Sequence, residues 1–163
     1  MDRTEYFNDM IYRLEELLYH ELSGMAAWKV EFVGTDFIQS KDIKGDNERE
    51  VIENTIKEIT GAGLVKDMTY AIGGKGVMLK LTMKGCIHLP KEIKLKKDKI
   101  EPFVCPITYM ALDQLIEKLG YETTYLADLD IDENAGKCIA TCAIYETSEK
   151  IGLVCDWSEE GRE

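Results

Sequence analysis

Residues 105–120 read CPITYMALDQLIEKLG, and residues 121–147 continue YETTYLADLDIDENAGKCIATCAIYET. The first run predicts a helix from about 105 to Leu119. Pro106 suits a first helical turn, where its missing amide costs nothing, and Gly120 suits the position just past the end. Ile107, Met110, Ala111, Leu115, Ile116 and Leu119 recur at helical spacing as its buried stripe. The second run changes to a period of two. It predicts strands over about 121–131 and 137–147, joined by Asp132, Glu133, Asn134, Ala135 and Gly136.

Working outward, Val77, Leu79, Leu81 and Met83 alternate with Met78, Lys80, Thr82 and Lys84. With Tyr70 and Ile72 before Gly73-Gly74-Lys75-Gly76, this predicts a half-buried antiparallel hairpin. Ile93 and Leu95 suggest a short edge strand, and residues 151–154 a further extension of the sheet. Val51, Ile52, Ile56 and Ile59 form one helical face, capped by Asp46 or Asn47 and stopped by Gly61 and Gly63. Residues 2–25 predict an amphipathic helix carrying Phe7, Met10, Ile11, Leu14, Leu17, Leu18, Leu22 and Met25, and Asp2 with Glu5 resembles a capping box. The aromatic and methionine side chains of this half are read mainly as core, with the alternative that some line an apolar ligand cavity between helices and sheet. Residues 28–43 fit either a helix or a short strand.

The expected architecture is therefore α+β: N-terminal helices packed on an antiparallel sheet, with an intervening helix at about 105–119. A chain of 163 residues fits one domain over 1–163, mainly helical over 1–63 and sheet with one helix over 64–156. Its net charge is −11, which disfavours nucleic-acid binding by the chain itself, because phosphate contacts need an excess of Lys and Arg. The one basic run, Lys91, Lys94, Lys96, Lys97 and Lys99, reads as a solvated strand edge, with a docking patch for an acidic partner as the alternative. No stretch reaches the ~20 apolar residues of a membrane span, and the N-terminus lacks the pattern of a signal peptide. Five cysteines, an odd number, fit a reducing cytoplasm with free or metal-bound thiols.

Chemistry is sought first at Cys105, whose thiol precedes a helix. Unpaired amides and the helix dipole there favour thiolate, so Cys105 is read as a metal ligand, a reactive thiol or an inert core residue. Cys86 and His88, two apart, fall on one face if the preceding strand continues, about 6–7 Å apart at the backbone. Cys138 and Cys142 share a strand face but stand roughly 13 Å apart, so at most one joins a site with Cys105. The candidate metal site is Cys86, His88, Cys105 and Cys138, a soft donor set that suits zinc. Core packing is the plain alternative for each. Cys155, near the acidic tail, is read as a bystander. The aspartates at 128, 130 and 132 fail the calcium-loop pattern, since Glu133 stands where glycine is required. No hydrolase, zincin or nucleotide-binding fingerprint is present.

The order of elements resembles the 4-vinyl reductase, or hydrocarbon-binding, domain family. The resemblance rests on Gly85-Cys86-Ile87-His88 at the end of the central hairpin, and on the cysteine-led helix ending Leu119-Gly120-Tyr121 before a cysteine-bearing hairpin. It covers about residues 65–155. It implies a domain that binds or senses a small apolar molecule, acts as a homodimer, and in some members holds zinc through cysteines and a glutamate. The chain departs from that ligand pattern: Cys138 and Cys142 are spaced differently, and Glu146 follows them. The enzymatic alternative is a thiol-dependent hydrolase or redox protein using Cys105, and a third reading is a pure interaction subunit.

Overall fold

The computed structural model describes residues 2–22, 34–74, 78–100 and 105–147. In chain order the elements are α1 (Arg3–Leu22), α2 (Thr35–Gln39), α3 (Glu48–Gly61), β1 (Asp67–Gly73), β2 (Met78–Lys84), α4 (Leu89–Lys97), α5 (Pro106–Leu119), β3 (Thr123–Asp132) and β4 (Lys137–Tyr145). The α+β reading holds. The ambiguous stretch contains the short helix α2. Met25, Trp28, Phe32, Val77, residues 151–154 and Cys155 lie outside the described residues.

Two antiparallel hairpins, β1–β2 and β3–β4, join through β2 and β4 into one sheet of order β1-β2-β4-β3. Register sets the core. Leu79 stands opposite Cys142, Leu81 opposite Ala140 and Met83 opposite Cys138, so these six side chains share the buried face. In β3 the register shifts between Leu126 and Asp128. That irregularity keeps Leu126 in phase with Leu129 and Ile131 on the core side, while Asp128, Asp130 and Asp132 face solvent.

The helix α5 lies against β3 with α2 and α3 beside it. Cys105 occupies its N-cap position, Pro106 its first turn, and Gly120 is left-handed at φ 70°. This turn lets the amides of Gly120 and Tyr121 reach back to the carbonyls of Ile116 and Leu115. Ile107, Met110, Ala111 and Leu115 are buried as expected, whereas Ile116 is 44% exposed. In α3 the Asn47 side chain accepts from the amide of Glu50, the predicted cap.

Two expectations are overturned. Residues 89–97 form a helix, not an edge strand: Pro90 sits in its first turn, and Leu89, Lys91, Glu92 and Leu95 are its buried residues. The lysine run is accordingly not one solvated strip. Lys91 is 1% exposed, Lys94 pairs with Asp9 at 2.8 Å, and Lys97 pairs with Glu133 at 3.1 Å.

The larger surprise is α1. Its capping box forms as expected, with the Glu5 amide donating to Asp2 Oδ1 at 2.8 Å and the Asp2 amide to Glu5 Oε2 at 3.3 Å. Yet the helix turns its polar side inward. Asn8, Tyr12 and Glu15 are buried against α4, while Tyr6, Phe7, Met10, Leu14 and Leu17 are 41–58% exposed. Specific partners meet each inward side chain, although Asn8 Oδ1 and Glu15 Oε2 have no hydrogen-bond partner among the described residues. Asn8 Nδ2 donates to the Ile87 carbonyl at 2.8 Å, Tyr12 donates to Asp98, and Lys91 Nζ meets Glu15 Oε1 at 2.7 Å. Aliphatic side chains cannot supply such pairing, so these contacts select the polar face for docking.

Candidate functional site

The sequence pointed to thiols, and four of them are buried: Cys86, Cys105, Cys138 and Cys142 belong to the main core. Three structural features bring them toward one region. β2 ends at Lys84, and Gly85 follows at φ 61°. A Cβ at Gly85 would lie 2.7 Å from Cδ of the exposed Lys66 side chain, which can swing aside, so it is the left-handed turn that calls for glycine. The chain then places Cys86 beside the start of α4. Cys105 leads into α5, and Cys138 lies on β4.

This geometry corrects one expectation. Cys86 and His88 do not share a strand face, because the left-handed glycine ends the alternation. Instead the His88 amide donates to Cys86 Sγ at 3.4 Å, and His88 occupies the N-cap position of α4. Its Nδ1 is buried without a hydrogen-bond partner among the described residues. Burial, followed by the charge of Lys91, pushes the imidazole down to about 4, so His88 is neutral at physiological pH.

Helix-dipole activation of Cys105 does not materialise. Cys105 is 2% exposed, and burial followed by the carboxylate of Glu92 pushes its thiol up to about 12. Thr108 Oγ1 donates to its Sγ at 3.0 Å, which favours thiolate but is outweighed by desolvation. Burial also raises Cys86, Cys138 and Cys142. After burial, Cys138 feels Cys105, Cys86 and Glu92, so these four groups lie within electrostatic reach of one another. The thiols are therefore protonated at neutral pH. Folded protein is expected to leave Cys105 unalkylated by iodoacetamide at pH 8, while denatured protein labels it fully. Mass spectrometry of the peptides reads the difference, and rapid labelling of the folded chain would contradict the burial argument.

Sequence reasoning missed Glu92 and the residues joined to it. Glu92 is 2% exposed, Glu15 3% and Lys91 1%, and together they form a buried ionic triad linking α1 to α4. Lys91 Nζ lies 2.7 Å from Glu15 Oε1 and 2.6 Å from Glu92 Oε1, the latter an ion-pair contact rather than an aligned hydrogen bond. Glu92 Oε2 and Glu15 Oε2 have no hydrogen-bond partner among the described residues. Burial raises both carboxyls against the pull of Lys91, Glu15 to about 7. Desolvation outweighs the single ammonium that both carboxylates share, and for Glu15 the nearby charge of Glu92 adds a smaller upward push. The signal in the sequence was Leu89, Glu92 and Leu95 at intervals of three, a helical face interrupted by an acid.

Cys86, Cys105, Cys138 and Glu92 are donors whose chemistry suits zinc, and Glu92, whose Oε2 has no hydrogen-bond partner among the described residues, lies within electrostatic reach of Cys105 and Cys138. Among the described residues, however, no group of three His, Cys, Asp or Glu side chains is arranged to hold a metal ion.

The other feature is the outer side of α1. A groove of about 620 Å³ runs along it, lined by Tyr6, Asp9, Met10, Arg13, Leu14 and Leu17. A smaller hollow of about 150 Å³ lies between Asp42, Lys44 and the middle of α3. Neither opens into the space between helices and sheet, where the apolar ligand cavity was expected. No described helix is long and apolar enough to cross a membrane. No family model matches the chain, and no curated protein or solved structure is detectably similar to it.

Proposed function

We propose that the chain is a binding domain that acts by recognition rather than catalysis, and that the apolar outer face of α1 is where it binds. One observation carries this: a helix docked by its polar side, leaving Phe7, Met10, Leu14 and Leu17 outward in a continuous stripe. Isolated apolar residues at a surface need no explanation, but a contiguous stripe along a helix marks an interaction site. The resemblance to the hydrocarbon-binding domain family agrees with an apolar ligand. The buried, protonated state of Cys105 favours binding over the thiol-enzyme alternative.

Native mass spectrometry of protein purified under mild conditions tests the proposal. A bound mass, either a small molecule or another chain, is expected on the wild type and is expected to vanish in Leu14→Lys. Leu14 is 58% exposed and lysine is a good helix former, so that variant keeps its fold. A bare single-chain mass for the wild type would refute the proposal.

As a second element we propose that Cys86, Cys105, Cys138 and Glu92, which are not arranged around a common ion among the described residues, would draw together on a structural zinc, with His88 adjacent. Bound zinc would supply a charge that converts buried thiols to thiolates and ties α4, α5 and β4 together. Elemental analysis of protein prepared without chelator is expected to give one zinc per chain, with occupancy reduced in Cys105→Ser and Glu92→Gln. Zinc-free protein that takes up none on titration would remove this element and leave the α1 proposal standing.

A further inference from the structure

We infer that α1 pairs antiparallel with α1 of a second copy of this chain. This deepens the reading of the α1 face as the binding site, by naming its occupant. The exposed residues Phe7, Met10, Leu14 and Leu17 are spaced three, four and three apart, the repeat that forms a seam between two helices. The same spacing continues four residues outward at each end, to Arg3 and to Glu21, both exposed. The seam is therefore apolar in the middle, basic at one end and acidic at the other.

Orientation follows from those ends. In a parallel pair Arg3 would face Arg3 and Glu21 would face Glu21, with like charges at both ends. In an antiparallel pair centred at the level of Tyr12, Arg3 faces Glu21, Phe7 faces Leu17, and Met10 faces Leu14. Every layer of the seam, over about 27 Å of helix, then meets a complementary residue. Tyr12 itself stays on the buried side against α4. Beside the axis, half-buried Ile11 meets its own copy on one flank. On the other flank Arg13 approaches its own copy, but Glu16 at 2.7 Å neutralises it within each helix. A two-fold pair of this kind is self-complementary, as a closed dimer requires.

Sedimentation equilibrium of the full chain tests the inference. The wild type is expected to be a dimer, and Leu14→Lys is expected to weaken association at least tenfold with an unchanged circular dichroism spectrum. Arg3→Glu and Glu21→Arg are each expected to weaken it, and the double variant Arg3→Glu/Glu21→Arg to recover it. A parallel pair would show no such recovery, so a double variant no better than the singles overturns the antiparallel assignment. A dimer indifferent to Leu14→Lys places the interface elsewhere and also overturns it. A monomeric wild type that carries a small-molecule mass lost in Leu14→Lys overturns the pairing alone, whereas a bare monomer overturns the binding face as well.

Discussion

Replacing Lys91 by Ala is expected to destabilise the fold by about 3–5 kcal/mol, because it strands Glu15 and Glu92 in the interior without a counter-charge. For a chain of this size the melting temperature should fall by roughly 10 °C. The effect is one of unpairing, not of lost attraction. Converting all three residues together, Lys91→Met with Glu15→Leu and Glu92→Met, is therefore expected to restore most of the stability, since desolvation of the triad offsets much of its own Coulomb gain. If Lys91→Ala melts like the wild type, the triad is not buried as described.

The same triad sets a pH dependence. Glu15 is raised above its ordinary value to about 7, so the folded protein holds that proton more tightly than the unfolded chain does. Its stabilising contribution is fully present below about pH 4.5, the unfolded value, and is lost as the pH climbs through 7. Glu15→Gln removes that ionisation. His88, lowered to about 4, and Glu92, raised, act alike in both chains, so denaturant titrations should show the wild type losing stability relative to Glu15→Gln as the pH rises from 5 to 8.

The second large effect belongs to the sheet. Leu81 is fully buried at the centre of β2, opposite the small Ala140. Leu81→Ala would leave two alanines facing each other in the main core, and the strand register gives the cavity little room to close. The expected loss is about 2–5 kcal/mol, read as a lower denaturant midpoint with an unchanged slope. A loss under about 1 kcal/mol would mean that the sheet and helices are not closely packed there.

Periodicity made much of this fold legible. The alternation through Leu79, Leu81 and Met83 and the helical stripe of Ile107, Met110 and Leu115 each matched one burial pattern, with turn residues at both ends. Residues 89–97 misled because Ile93 and Leu95 alternate with lysines, which mimics a strand edge. Pro90 was the better guide. The site was harder to read for a different reason. Which face of α1 turns inward depends on Lys91 and Glu92, some 75 residues away, and hydrophobicity alone favours the opposite face. Helix-terminal activation of Cys105 was likewise a sound local argument, defeated by complete desolvation that only the tertiary structure creates.

The inward polar face of α1 is the claim on which the binding proposal rests. Hydroxyl-radical footprinting of the Leu14→Lys chain, in which no partner covers the helix, tests it most directly. The account predicts rapid oxidation of Tyr6, Phe7 and Met10 with Tyr12 protected. Rapid oxidation of Tyr12 together with protection of Phe7 and Met10 would show that the helix docks by its apolar side, and would contradict it.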